Sequence, residues 1–211
     1  MILTNVLKIS EFAILATDAQ IMRTAQALES NNIHVIVVQT GTEAKKAIFG
    51  IIPENAEVFT ASSVTLDTLG VSEELDKSGR YNSVRAKLAM MDRLTQDREM
   101  QKMGTTPDYM IGSVHAVTET GQIVIASKTG SQLAGYAAGA AHVIWVAGTQ
   151  KIVPTVEIGL RRIEEYTLPL ENSRALIAYG MKSSVSKLLI VNDEAVHGRT
   201  TMILVKENLG Y

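Results

Sequence analysis

The feature that most narrows the fold is an alternation of two hydrophobic periods. "TDAQIMRTAQALESNN" (17–32) carries Ile21, Ala25 and Leu28 at helical spacing. It opens on a capping Thr17 or Asp18 and closes on Asn31–Asn32. "IHVIVVQ" follows, a β-branched run suited to a strand buried on both faces. "TEAKKAIFGII" then predicts a short helix and "AEVFTA" another strand. Strand and helix in alternation predict an α/β fold with a mostly parallel sheet.

At 211 residues the chain is read as one domain, 1–211, large enough to bury a hydrophobic core. Its 20 basic and 22 acidic residues nearly balance, which argues against nucleic acid as the main partner. Cysteine is absent, so this chain supplies no disulfide, thiolate nucleophile or thiolate ligand for zinc or an iron–sulfur cluster. The opening "MILTNVLKISEFAILATDAQ" is interrupted by Asn5, Lys8, Ser10 and Glu11, and lacks a basic leader. It is read as neither signal peptide nor membrane span, and the protein is expected to be cytoplasmic.

Residues 71–106 interrupt the alternation. A polar stretch precedes a helix expected to run to about Met103, with Val84, Leu88, Met91 and Leu94 on one face and a solvated charged face opposite. "YMIGSVHAV" and "QIVIAS" read as two strands around the turn "TETG", whose Gly121 suits a hairpin. An Ala/Gly-rich segment follows, then "HVIWVAG" as a strand. Pro154 sits well at the start of a helix with Val156, Leu160 and Ile163 inside. "KLLIVN" and "TMILV" close the chain as strands.

Standard nucleotide signatures fail. Gly130 and Gly135 have Walker A spacing, but Tyr136 and Ala137 stand where Lys and Ser/Thr are required, and no G-x-G occurs. A more general anion site survives. If 122–127 and 142–147 are parallel neighbours, the fourteen residues 128–141 form their crossover. Lys128, Thr129, Gly130, Ser131 and Gln132 would then share the carboxyl edge of the sheet with Thr149, Gln150 and Lys151. Two lysines, hydroxyls, amides and helix N-termini would suit a carboxylate or phosphate. The body of that segment, "AGYAAGAA", needs only close packing of a thin helix on a sheet to explain it.

Glu119, beside His115 and Thr118, offers a carboxylate and an imidazole near one strand end for acid–base or nucleophilic work; a solvated turn glutamate is the plainer alternative. His34, His142 and His197 lack metal-ligand spacing, so no metal site is expected. No G-x-S-x-G elbow supports a serine nucleophile.

The run from Gly112 to Glu171 resembles the LUD-domain family of lactate utilisation proteins, in particular the small C-type component of the bacterial lactate-oxidation system. The resemblance lies in "TETG", "GSQ" (130–132), "HVIWVAGTQKIV" (142–153) and "RRIEEYTLPLE", and continues through "SKLLIVN" and "GRTTMILVKENLG". It implies a NagB/RpiA/CoA-transferase-like three-layer α/β/α fold and a role in lactate or related organic-acid metabolism. The implied partners are a small carboxylate and iron–sulfur proteins, with no cluster in this chain and no other cofactor bound by it. CoA or another phosphate-bearing ligand stays open, as does a homo-oligomer; nucleic acid and membrane are not expected. Related CoA transferases use a glutamate nucleophile, which by analogy points to Glu119. The alternatives are a stand-alone enzyme of CoA-transferase or sugar-phosphate-isomerase type, and a non-catalytic or regulatory subunit docking on an iron–sulfur partner.

Overall fold

The computed structural model describes residues 10–211. Most of the "MILTNVLKISEF" opening therefore lies outside the described residues. The first helix, α1 (Asp18–Ser30), starts at a capping box in which Thr17 accepts from the Gln20 N–H and Gln20 returns the bond. It is followed by β1 (His34–Val38), α2 (Gly41–Ile51) and β2 (Glu57–Thr60). Two short helices, α3 (Val64–Thr68) and α4 (Val71–Lys77), then lead to β3 (Asn82–Ser83), α5 (Val84–Ala89) and α6 (Arg93–Thr105). Next come β4 (Tyr109–Gly112), β5 (Ala116–Thr118), β6 (Ile123–Ser127), β7 (His142–Gly148) and β8 (Ile152–Val153). Helices α7 (Val156–Arg162) and α8 (Leu168–Tyr179), then β9 (Lys187–Val191) and β10 (Thr200–Val205), complete the chain.

Six strands form one wholly parallel sheet in the order β1-β10-β7-β4-β2-β3. Helices α2, α3 and α4 bury Ala44, Ile48, Leu66, Val71 and Leu75 against one face, on Val58, Ile111, Ile144 and Ile203. The other face, with Met110, Val143, Trp145 and Met202, receives Ile21 and Leu28 of α1 and Tyr136. This is the α/β fold with a parallel sheet that the alternation predicts, in the three-layer α/β/α arrangement that the family resemblance implies.

A second sheet, β8-β5-β6-β9, was not foreseen. Its inner side chains, Val117, Ile123 and Ile125, join the core beneath the parallel sheet, while Ala116, Val124 and Ala126 pack outward with Ile163. Two expectations are corrected by it. "YMIGSVHAV" is two strands in two sheets. Residues 122–127 and 142–147 are not parallel neighbours: β6 runs antiparallel to both its partners, β5 and β9, whereas β7 lies between β10 and β4. "KLLIVN" and "TMILV" are strands as expected, one in each sheet.

Three local readings also change. The single helix expected over 84–103 breaks after Ala89, because the Asp92 side chain caps a new start by accepting from the Leu94 N–H; Leu94 then faces solvent. "IHVIVVQ" is an edge strand paired only with β10, so its burial is partial. The "AGYAAGAA" helix is a five-residue π-type turn, Gly135–Gly139. Close packing explains its composition: a Cβ at Gly139 would overlap the Thr105 carbonyl, and one at Gly135 would overlap the Met110 sulfur. Gly139→Ala is expected to destabilise the chain by about 1–3 kcal/mol in urea unfolding, while Ala138→Ser at the exposed neighbouring position stays within about 0.5 kcal/mol.

Candidate functional site at the step between the sheets

The chain steps from the parallel sheet to the second sheet twice. After β4 it crosses through Ser113, Val114 and His115 into β5, and after β7 through Thr149, Gln150 and Lys151 into β8. Because β4 pairs with β7 and β5 with β8, both in parallel, the two crossings run side by side at the carboxyl ends of β4 and β7. Open α/β sheets usually bind ligands at that edge.

Lys151 lies at the centre of the step. Its side chain is 2% exposed, and its Nζ reaches Ser113 Oγ at 3.0 Å and Thr65 Oγ1 at 3.2 Å. No carboxylate pairs with it among the described residues. Burial, reinforced by the positive charge of Arg162, lowers the ammonium to about 7. Arg162 is itself fully buried. Its Nη1 donates to the His115 carbonyl at 2.7 Å and to Thr167 Oγ1 at 3.1 Å, while its Nε has no acceptor among the described residues. Burial brings this guanidinium down to about 10.

His115 accepts the Ala126 N–H at Nδ1, 3.1 Å away, which requires the neutral ring with its proton on Nε2. Burial, then the charges of Lys151 and Arg162, lower its pKa to about 3. Glu171 is coupled to it by charge. Burial works against ionisation of Glu171, but hydrogen bonds from Arg174 (2.7 and 2.8 Å) and Tyr211 (2.6 Å) outweigh that and hold the carboxyl below its usual range. The segment after β10 closes over the cluster. The Leu209 carbonyl accepts from Thr65 Oγ1 at 3.2 Å and from Gln150 Nε2 at 3.0 Å. Gly148 permits this approach, since a Cβ there would overlap the Glu207 carbonyl.

Of the ten residues singled out from sequence, the structure gathers four at this step: His115, Thr149, Gln150 and Lys151. Thr149 and Gln150 are buried beside Lys151 in one tight turn. Lys128 is elsewhere, exposed after β6, with Nζ donating to the Lys182 carbonyl at 2.9 Å. Thr129, Gly130, Ser131 and Gln132 form a loop that closes on itself: Ser127 Oγ accepts from the Gly130 N–H and donates to Gln132 Oε1, and Thr129 Oγ1 accepts from the Ser131 N–H. The shared edge expected for Lys128 and Lys151 does not exist, because their preceding strands lie in different sheets.

Glu119 and His115 are not brought together. They flank β5, roughly 13 Å of extended chain. Both Glu119 oxygens are engaged, Oε2 by Arg23 at 2.6 and 3.1 Å and Oε1 by Gln20 at 3.1 Å, and these bonds lower its pKa. A groove of about 780 Å³ runs along α1 past Met22, Gln26, Val37 and Lys206, away from the Lys151 cluster. Among the described residues no three His, Asp or Glu side chains come together as a metal site, and no helix is long and apolar enough to cross a membrane.

A model of the LUD domain matches residues 21–205. The chain belongs to the LUD-domain family. A DUF162 family protein from Deinococcus radiodurans, solved by crystallography, superposes with a TM-score of 0.55 at 14% identity, covering 91% of this LUD-domain chain and 99% of that one. It shares the fold. Ribose 5-phosphate isomerase from Plasmodium falciparum aligns at 10% identity over 81% of this chain and 94% of that one, with a TM-score of 0.37. No curated protein matches the chain significantly.

Ser113, Thr65, Arg162, Glu171 and Tyr211 were not anticipated. Arg162 is buried although its sequence neighbour Arg161 is exposed. The state of His115 makes a testable demand on acid stability. The unfolded imidazole protonates near 6.5, the folded one near 3, so the unfolded chain binds the proton first. Stability from this group is fully present above pH 6.5 and lost progressively as pH falls toward 3, by a few kcal/mol at most. His115→Asn keeps an acceptor for Ala126 without the titration. The stability gap between parent and variant should therefore be smaller at pH 4.5 than at pH 7.5 in urea unfolding; an unchanged gap would contradict the assignment.

Proposed function

We propose that this LUD-domain protein serves lactate or related organic-acid utilisation, holding a small carboxylate at the Lys151 cluster beside iron–sulfur partner proteins. The observation that carries the reading is a buried lysine whose polar partners among the described residues are two hydroxyls. Removing a cation from water without a counter-charge is costly, and the usual relief is an anion or loss of the proton. Lys151 shows the second, with its pKa at about 7. A carboxylate beside it would supply the first and could also accept from the Nε–H of Arg162, which has no acceptor among the described residues. Cluster ligands and electron transfer fall to partners, since this chain has no cysteine.

An anion that pairs with Lys151 raises its pKa, so binding must take up protons above pH 7. Calorimetry at pH 8 with L-lactate, D-lactate and pyruvate, in buffers of different ionisation enthalpy, should show about one proton taken up per carboxylate bound. Lys151→Met should weaken that binding about 10- to 100-fold. Carboxylate binding that survives the substitution unchanged, or a preference for inorganic phosphate over all three acids, would overturn the reading. For the partner half of the proposal, co-expression with an iron–sulfur protein encoded beside this gene should give a co-eluting complex.

A further inference from the structure

Carboxylate binding uses Lys151 as a cation, but the same residue is a base when neutral, and its neighbours then matter differently. Thr65 has one hydroxyl proton, and its acceptors are the Leu209 carbonyl and Ser113 Oγ, each at 3.2 Å, not the amine. Thr65 Oγ1 therefore holds the amine as an acceptor. Ser113 is only partly buried, and among the described residues its hydroxyl meets Thr65 Oγ1 at 3.2 Å and the Val114 carbonyl at 3.5 Å, both farther than Lys151. Lys151 Nζ lies 3.0 Å away. Once the amine is neutral, its lone pair is the acceptor nearest the Ser113 proton.

We infer that Ser113 and Lys151 form a serine–lysine catalytic dyad, with Ser113 as nucleophile toward an ester or thioester of a small carboxylic acid. Ser113 Oγ attacks the acyl carbon while its proton passes to Lys151 Nζ. The carbon–oxygen or carbon–sulfur bond to the leaving group breaks, and the leaving alkoxide or thiolate takes the proton back from Lys151. Water then attacks the acyl-Ser113 ester, giving its proton to Lys151. Ser113 Oγ departs with that proton, and the acid ionises into solvent. The sum is acyl ester plus water giving carboxylate, a proton and the free alcohol or thiol, with no oxidant or reductant. Thr65 fixes the amine from its second side, and the burial that keeps Lys151 near 7 leaves a large neutral fraction at physiological pH. Among the described residues, Arg162 and His115 are the charged or titratable groups that couple to it, and the Arg162 charge favours the neutral amine.

The inference rests on the Lys151 cluster being the functional site, though not on the identity of any carboxylate. The test treats the full chain with a fluorophosphonate reporter across pH 5–10 and maps the adduct by mass spectrometry. The expected result is phosphonylation at Ser113, with a rate that rises with pH through a midpoint near 7 and then levels. Ser113→Ala should remove the adduct, and Lys151→Met should slow it roughly 10²–10⁴-fold. No adduct, an adduct on another residue, or a midpoint above pH 9 would overturn the dyad. The adduct and its pH profile come from the unaltered chain, so the outcome does not hinge on a variant folding. Carboxylate calorimetry does not enter the readout, so the dyad and the carboxylate reading fail separately.

Discussion

The site depends on an amine held in the protein interior by two hydroxyls. Lys151 Nζ joins three segments that are distant in sequence: the exit of β4 at Ser113, the short helix α3 at Thr65, and its own turn after β7. A carboxylate in place of either hydroxyl would have kept the lysine charged and inert. Hydroxyls satisfy its hydrogen bonds without neutralising it, so burial acts on the charge in full. The neighbouring guanidinium of Arg162 pushes in the same direction.

That placement follows from topology. Two parallel pairs, β4 with β7 and β5 with β8, require the chain to step between the sheets at two adjacent points. Neither step is long enough for a helix that would cover the gap, and each is three residues. Six residues thus converge at the carboxyl edge, three from each step, and the segment ending in Leu209 and Tyr211 packs across them. The second sheet is the device that makes the site, because a continuous β4–β5 strand would carry Ser113 and His115 along a sheet face instead of turning them toward Lys151.

Much of the fold is readable in the sequence because hydrophobic period is local. Thr17 with Gln20, the β-branched run 33–38, the turn at Gly121 and the small residues of 135–140 each declare themselves within a few positions. Sheet membership is not local. Nothing within "YMIGSVHAV" marks the change of sheet at Ser113, and "QIVIAS" has the same pattern whether it pairs with β7 or with β5 and β9. The expected pairing set Lys128 beside Lys151, and the two-sheet topology separates them. Arg162 was hidden because a buried arginine and a solvated one are written identically. The "TETG" turn drew attention to Glu119, whose carboxylate serves to tie the hairpin to α1 through Arg23 and Gln20.

The central claim is that Lys151 titrates far below an ordinary lysine. Its midpoint can be read directly by following the side-chain Cε and Nζ resonances of isotopically labelled lysine with pH, the Lys151 signal being assigned by its absence in Lys151→Met. The account predicts a midpoint near 7, against the usual 10.5. A Lys151 signal that titrates at 10 or above would mean a solvated or paired ammonium, and would contradict the site described.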